Sequence, residues 1–289
     1  MQKIIAMIDA MRPKQWVKNI FLFAALVFAR KYQDVDAWIH ALLGFAAFCM
    51  ISSSGYIFND ARDRDADAQH PKKKFRAIAS GRLPLQLAYM EMVLLFVLGL
   101  GLAYSLSPWF FALALAYFVN TMSYSLYFKN FVILDVMFIA LGFLWRVAAG
   151  AMVIDVPPSP WLLICTGFLS LFLGFNKRRG ELHVVEDNSS KTRKNLQDYS
   201  PSLVSEFQAI TTSGTIISYA LYTIENNPWL MLTLPFVMYG IFRYIYLVTQ
   251  CDEGGAPDET LLKDKPILIT GLLYIITIFA LLIFAPVPT

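Results

Sequence analysis

Asn59, Asp63 and Asp67 recur every four residues in the run Asn59-Asp60-Ala61-Arg62-Asp63-Arg64-Asp65-Ala66-Asp67. On a helix of 3.6 residues per turn this spacing puts them along one face, a turn apart. Three oxygen donors in a row suit Mg²⁺, which binds proteins through one or two carboxylates and leaves room for water and substrate phosphate. A solvated polar helix end is the plain alternative. Asp60 and Asp65 point elsewhere on the same helix and are expected to pair with Arg62 or Arg64. Directly downstream, His70-Pro71-Lys72-Lys73-Lys74-Phe75-Arg76 brings a cation cluster. A metal neutralising some oxygens, with Lys74 and Arg76 on others, is the combination that holds a polyphosphate. A basic stretch that touches only anionic lipid headgroups has the same composition.

These residues need elements to position them, and the composition says what kind. Of 289 residues, 57% are hydrophobic and 16% charged, too apolar for an ordinary water-soluble enzyme. Apolar blocks run approximately over residues 17–30, 38–58, 86–106, 108–127, 131–153, 159–175, 207–224, 228–249 and 266–285. They predict an all-α integral membrane protein, a single embedded domain of nine transmembrane helices over residues 1–289. The first block is short for a bilayer and needs Met11 to Trp16 to reach the usual ~20 residues. No cleaved signal is expected at the start, where Met1 to Asp9 offers no small-residue cleavage site.

Lys and Arg divide unevenly between the two sets of connections, 20 on one side and 2 on the other. The positive-inside rule then places the N-terminus in the cytoplasm and the C-terminus outside. The two long polar connections, 59–85 and 176–206, face the cytoplasm. Cys49, Cys165 and Cys251 form no CxxC pair, so neither a disulfide framework nor a zinc site is expected. His40, His70 and His183 form no convincing catalytic dyad. Nothing points to nucleic acid, and a homo-oligomer is compatible with the composition.

The NxxxDxxxD motif at the end of the second span resembles the UbiA superfamily of intramembrane prenyltransferases. A second acidic motif is usual in that superfamily after the sixth span. Here the matching stretch reads Asn176-Lys177-Arg178-Arg179-Gly180-Glu181, with cations where acids would stand. Arg12-Pro-Lys-Gln-Trp16-Val-Lys18-Asn19, Tyr124-Ser-Leu-Tyr-Phe-Lys129, Asp198-Tyr199-Ser-Pro and Phe242-Arg243-Tyr244 followed by Gly254-Gly255 extend the resemblance over most of the chain. Together they are similar to the polyprenyl-phosphate phosphoribosyltransferase branch.

That resemblance implies a UbiA-like helical bundle in a bacterial plasma (inner) membrane. It also implies transfer of 5-phosphoribose from phosphoribosyl pyrophosphate to a polyprenyl phosphate for cell-envelope glycans. Mg²⁺ is the implied cofactor, held by Asn59, Asp63 and Asp67, which are the expected catalytic residues. A donor with a 5-phosphate as well as a diphosphate needs extra positive charge, which Lys177, Arg178 and Arg179 would supply. The lipid phosphate is its own anionic nucleophile, its second pKa lying near ~6, so a general base is dispensable. Lys14, Lys18, Lys129 and Arg243 are rim or buried cations for that phosphate. The alternative for the lysines is interfacial anchoring or a topology charge, and for Arg243 it is pairing with an acid. Among the tyrosines at cytoplasmic helix ends, Tyr199 is the best placed to bond phosphate or ribose, in a helix-starting turn. Asp135 is expected near Lys129 or the site, and Arg146, three turns further on, has a structural role as its simplest reading. The competing enzyme reading is a prenyltransferase acting on an aromatic or other acceptor. A transporter would instead carry charges or broken helices near mid-bilayer.

Overall fold

The computed structural model describes residues 2–71, 73–187, 196, 198–250, 260 and 263–284. Among them all regular structure is helical. The α-helices are α1 (Gln2–Met11), α2 (Ala24–Phe28), α3 (Val35–Arg62), α4 (Arg64–Ala68), α5 (Leu85–Leu106) and α6 (Pro108–Leu126). They continue with α7 (Leu134–Val153), α8 (Pro160–Asp187), α9 (Pro201–Asn226), α10 (Leu234–Gln250) and α11 (Lys265–Phe284). Among the described residues six segments are long and apolar enough to cross a membrane, namely Val35–Arg62, Leu85–Leu106, Pro108–Leu126, Leu134–Val153, Pro160–Leu182 and Pro228–Gln250. Lys265–Leu281 is apolar but shorter.

Three of the nine apolar blocks depart from a plain apolar α-helix: the eighth opens with a 3-10 helix, Pro228–Thr233, before α10, and the first and the seventh depart for visible reasons. The first is a 3-10 helix, Pro13–Phe23, followed by the short α2. A 3-10 helix rises ~2.0 Å per residue against ~1.5 Å for an α-helix, so this stretch reaches ~30 Å, about the hydrocarbon thickness, with fewer residues. It lies so close to α7 that a Cβ on Gly150 would come within 2.0 Å of the Leu22 carbonyl oxygen. Arg30, in the left-handed region at φ 57°, ends the run.

The seventh block, α9, buries Gln208, Thr211, Thr215 and Ser218. These recur at helical spacing on one face. The hydroxyls of Thr211, Thr215 and Ser218 donate to carbonyls one turn back, at 2.7, 2.7 and 2.6 Å. Satisfied within their own helix, they can be buried without partners elsewhere. Gly214 on α9 takes the Phe168 ring of α8 where a Cβ would stand 2.4 Å away, the close approach by which helices associate in lipid.

The chain forms two compact units, Met1–Leu126 with Gly142–Pro158, and Tyr127–Leu141 with Ser159–Thr289. In the first, Leu22, Leu26, Phe48, Ile51, Phe110 and Val153 build the main core. A second cluster joins Ala6 and Ala10 of α1 to Ile57 and Ala61 at the end of α3. In the second unit, Val136, Phe175, Leu196, Tyr199 and Val204 pack together, and Phe172, Ile241, Tyr244 and Val248 form another cluster. Helix α9 starts as its sequence asks, with Pro201 in the first turn and the Ser200 hydroxyl accepting from the Leu203 N–H.

Candidate active site

In the first unit the acidic motif sits where α3 ends. Asp63 breaks the helix, and α4 resumes at Arg64. The N–H of Asp63 still donates to the Asn59 carbonyl at 2.9 Å, and that of Asp67 to the Asp63 carbonyl at 2.8 Å, so the four-residue rhythm continues across the break. Asn59 and Asp63 are half-buried, whereas Asp67 is buried. Arg76 Nη1 donates to Asp67 Oδ2 at 2.6 Å, and Lys73 Nζ lies 3.9 Å from Oδ1.

Asp60 requires a correction. It does not pair with Arg62 or Arg64, because its position on α3 faces inward, and its carboxylate binds two arginines from other segments. Arg12 donates from Nε to Oδ2 at 3.2 Å and from Nη2 to Oδ1, and Arg76 Nη1 donates to Oδ1 at 3.0 Å. Arg76 thus bridges Asp60 and Asp67. Arg12 itself is left-handed at φ 54° and stacks over Tyr56 at 5.4 Å. Arg62 turns the other way and donates to the carbonyls of Ser125 and Leu126 at 2.6 and 3.1 Å, capping α6. Asp65 is exposed and makes no ion pair among the described residues.

The segment that supplies Arg12 is pinned along its length. Trp16 Nε1 donates to Ser53 Oγ at 3.0 Å, and Ser53 Oγ donates to the Met11 carbonyl at 3.0 Å. Asn19 Oδ1 accepts from Arg146 Nε at 2.8 Å. Arg146 is buried and also donates to the Gly142 carbonyl at 2.9 Å and to the Tyr117 hydroxyl at 2.8 Å, with the Tyr117 ring beneath it. Arg146 therefore ties α7 and α6 to the 3-10 segment, the structural role expected of it.

The second unit holds a different cluster. Asp135, at the start of α7, is fully buried, and its Oδ2 lies 2.9 Å from Arg178 Nε. Of the two neighbours expected for Asp135, Lys129 or the candidate site, the structure shows the second, the guanidinium that α8 carries into the same interior. Tyr199 donates its hydroxyl to Asp135 Oδ1 at 2.7 Å and accepts the Ile133 N–H at 2.7 Å. Burial first, and then the Asp135 hydrogen bond, push this phenol above its ordinary range, so it stays protonated and donates. Ile133 is left-handed at φ 69°, costly for a β-branched residue, and its N–H is the one that Tyr199 receives. Arg178 also pairs with Glu181. Arg179 donates to Ser205 Oγ at 3.1 Å and Gln208 Oε1 at 3.0 Å, and Gln208 donates on to Asn176 at 3.0 Å.

The remaining expected residues divide between the two units. Lys14 and Lys74 are exposed, whereas Lys18, Lys129 and Lys177 are half-buried. Arg243 pairs with Asp264 at 2.9 Å, the acid partner considered for it. That hydrogen bond, followed by the Ile267 N–H, holds the Asp264 carboxyl below the usual carboxylate range. Lys72, Cys251, Gly254, Gly255 and the side chain of His183 lie outside the described residues.

Among the described residues no three His, Cys, Asp or Glu side chains group as a metal site. The Asn59–Asp63–Asp67 row remains the candidate for a divalent ion. Its oxygen donors fit Mg²⁺ in kind, a hard cation that needs only one or two carboxylates. Sequence reasoning overlooked Asp60 as the bridge between arginines. Its signal is weak, because one step beyond Asn59 on a helix turns a side chain ~100° away, and nothing in the residue type says what it meets.

Comparison with known proteins gives this site its context. A profile of the UbiA prenyltransferase family matches residues 19–260. The chain is 34% identical to decaprenyl-phosphate phosphoribosyltransferase of Corynebacterium glutamicum, covering 94% of this chain and 85% of that one. It is 32% identical to the protein of the same name from Mycolicibacterium smegmatis, over 98% and 94% of the two chains. The structure of a UbiA homolog from Archaeoglobus fulgidus bound to GPP and Mg²⁺ superposes with a TM-score of 0.73 at 18% identity, covering 95% of this chain and 98% of that one. At that identity the likeness speaks for the fold alone. An all-helical, multi-pass chain with its acidic row at the end of α3, matched by profile over most of its length, belongs to the UbiA prenyltransferase family.

Proposed function

We propose that this protein transfers 5-phosphoribose from phosphoribosyl pyrophosphate to a polyprenyl phosphate and releases pyrophosphate. The observation that carries this reading is the 34% and 32% identity, over nearly the whole chain, to two phosphoribosyltransferases. A lipid phosphate oxygen attacks C1 of the ribose, the new C1–O bond forms, and the bond from C1 to pyrophosphate breaks. The acceptor is already an anion, which agrees with a chain whose few histidines form no dyad.

Asn59, Asp63 and Asp67 would hold Mg²⁺, which when bound neutralises charge on the leaving pyrophosphate. Arg76, braced by Asp60, is placed to pass from Asp67 to a donor phosphate, and Lys74 stands exposed beside it. Lys177 and Arg179 supply further charge for the donor. Arg178, closed off by Asp135 and Glu181, acts by fixing their shared helix. Tyr199 acts in the same way, through Asp135 and the Ile133 N–H. Lys14, Lys18, Lys129 and Arg243 are the cations proposed for the lipid phosphate.

The chain would act as one membrane-embedded domain with nine spans in a bacterial plasma membrane. Its N-terminus and acidic motif would lie in the cytoplasm and its C-terminus outside, as the Lys and Arg asymmetry asks. Cysteines near Lys73 and Lys191 should then be labelled only from the cytoplasm, and one near Pro158 only from outside. Labelling of both sets from one side would overturn this topology.

Family membership supports a second reading, transfer of a prenyl group from a prenyl diphosphate to an aromatic or other acceptor. Ligand-induced thermal stabilisation in detergent separates the two. Mg²⁺ with phosphoribosyl pyrophosphate should raise the melting temperature more than Mg²⁺ with a prenyl diphosphate. Stabilisation by prenyl diphosphate alone would favour the second reading.

A further inference from the structure

Helix α1 presents two opposite faces. Ala6 and Ala10 are buried, at 1% and 3% exposure, and pack with Ile57, Ala61, Ile78 and Leu83 of the same unit. Ile4, Ile5 and Ile8 are 62%, 50% and 50% exposed. At ~100° per residue the three isoleucines span an arc of ~100° on the side turned away from the two alanines. Three large aliphatic side chains on one outward face have no reason to be there in water, where each would lose the gain of burial.

The surroundings say what covers them. Helix α1 lies at the end of α3 where the apolar span gives way to the charged motif, the level of a membrane boundary. Further exposed apolar residues come from neighbouring parts of the same unit, Val17 and Ile20 of the 3-10 helix and Met90 and Val93 in the first turns of α5. Lys3 and Lys14 stand exposed at either end of α1, suited to anionic headgroups, and Trp16 follows two residues later. Asp9, on the polar side, pairs with Arg82 at 2.7 Å. An apolar stripe flanked by cations is the pattern of a helix that lies in the bilayer interface.

We infer that α1 is an in-plane interfacial helix whose Ile4, Ile5 and Ile8 face enters the acyl boundary of the bilayer, making the membrane itself the partner that seats the Arg12 turn. The chain leaves α1 directly into that turn. The Arg12 N–H donates to the Asp9 carbonyl at 3.2 Å, and its guanidinium clamps Asp60, which in turn holds Arg76. Immersion of α1 thereby fixes one arm of the ion network at the acidic motif. The bilayer contact stands whatever the substrate is; only its consequence for turnover rests on the proposed transfer.

The test uses the full-length protein in nanodiscs of mixed neutral and anionic lipid. Single cysteines replace Ile5, Ile8 or, as a polar-face control, Gln2, each in a Cys251→Ser background and carrying an environment-sensitive fluorophore. The signal of the parent without the added cysteine is subtracted. Labels at positions 5 and 8 should emit at shorter wavelength than the label at 2. Lipids spin-labelled near the headgroup should quench them about twofold more strongly than they quench the control. Water-like emission at all three positions would overturn the inference. Shielded but unquenched labels at 5 and 8 would also overturn it, by showing that protein rather than lipid covers this face.

Discussion

The two charge clusters solve the same problem in opposite ways. In the first unit the buried groups are the acids, Asp60 and Asp67, and their cations reach in from half-exposed positions, the Arg12 and Arg76 side chains being 24% and 27% exposed. In the second unit both members of the central pair are sealed, Arg178 at 2% and Asp135 at 0%. A pair whose cation still meets solvent can exchange that cation for another at modest cost. A sealed pair cannot, since separating it leaves a charge stranded in a low-dielectric interior. On the proposed function, the first cluster takes part in binding and the second holds helices in place.

Substitution should separate the two roles. The largest effect belongs to the acidic row. Asp63→Asn or Asp67→Asn should lower transfer on the order of a hundredfold or more while the melting temperature changes little, since the amide keeps the shape and loses the charge that a hard cation needs. Normal turnover of either variant at low Mg²⁺ would remove these residues from the metal assignment.

Next comes Arg178→Ala, which strands Asp135 and should cost about 3–5 kcal/mol of stability. A well-folded Arg178→Ala protein that has lost only affinity for phosphoribosyl pyrophosphate would show that this arginine contacts the donor after all. Tyr199→Phe removes one hydroxyl that serves the buried Asp135 and the Ile133 N–H, so a loss of about 1–3 kcal/mol is expected in denaturation of the purified protein. Arg12→Ala should cost less, about 1–2 kcal/mol, because Arg76 remains on Asp60. A penalty as large as that of Arg178→Ala would erase the distinction between the clusters.

The smallest effect is a pH dependence. Asp264 has a folded pKa below its unfolded value near ~4, so its contribution to stability is present above that value and fades as the pH falls below it. Asp264→Asn should therefore lower the melting temperature modestly at neutral pH and flatten its fall below about pH 4, where variant and parent converge. An unchanged acid slope in the variant would place the titration elsewhere.

Much of the architecture could be read from the chain because apolar blocks and charge asymmetry are local properties. The blocks at 38–58, 86–106 and 108–127 return as α3, α5 and α6 within a few residues. Their contrast with the first block is instructive. Its shortness signalled an anomaly, which the larger rise of a 3-10 path answers, but nothing local foretold that Leu22 passes close over Gly150. The four-residue rhythm of Asn59, Asp63 and Asp67 was also legible, and their backbone bonds keep it across the break at Asp63. What spacing cannot tell is who answers a charge from far along the chain. Arg12 meets Asp60 across 48 residues and Tyr199 meets Asp135 across 64, so these partners followed from packing and from no local motif. The same holds for Arg178, which Lys177-Arg178-Arg179 presents as one of three like cations and which the structure buries against Asp135.

The most direct test of the proposed activity is radiolabelled transfer from phosphoribosyl pyrophosphate to a short polyprenyl phosphate, in detergent with Mg²⁺, beside a parallel assay with a prenyl diphosphate and an aromatic acid. The account predicts a lipid-linked phosphoribose that depends on Mg²⁺ and is lost in Asp67→Asn. Prenylation of the aromatic acid without any lipid-linked phosphoribose would contradict it.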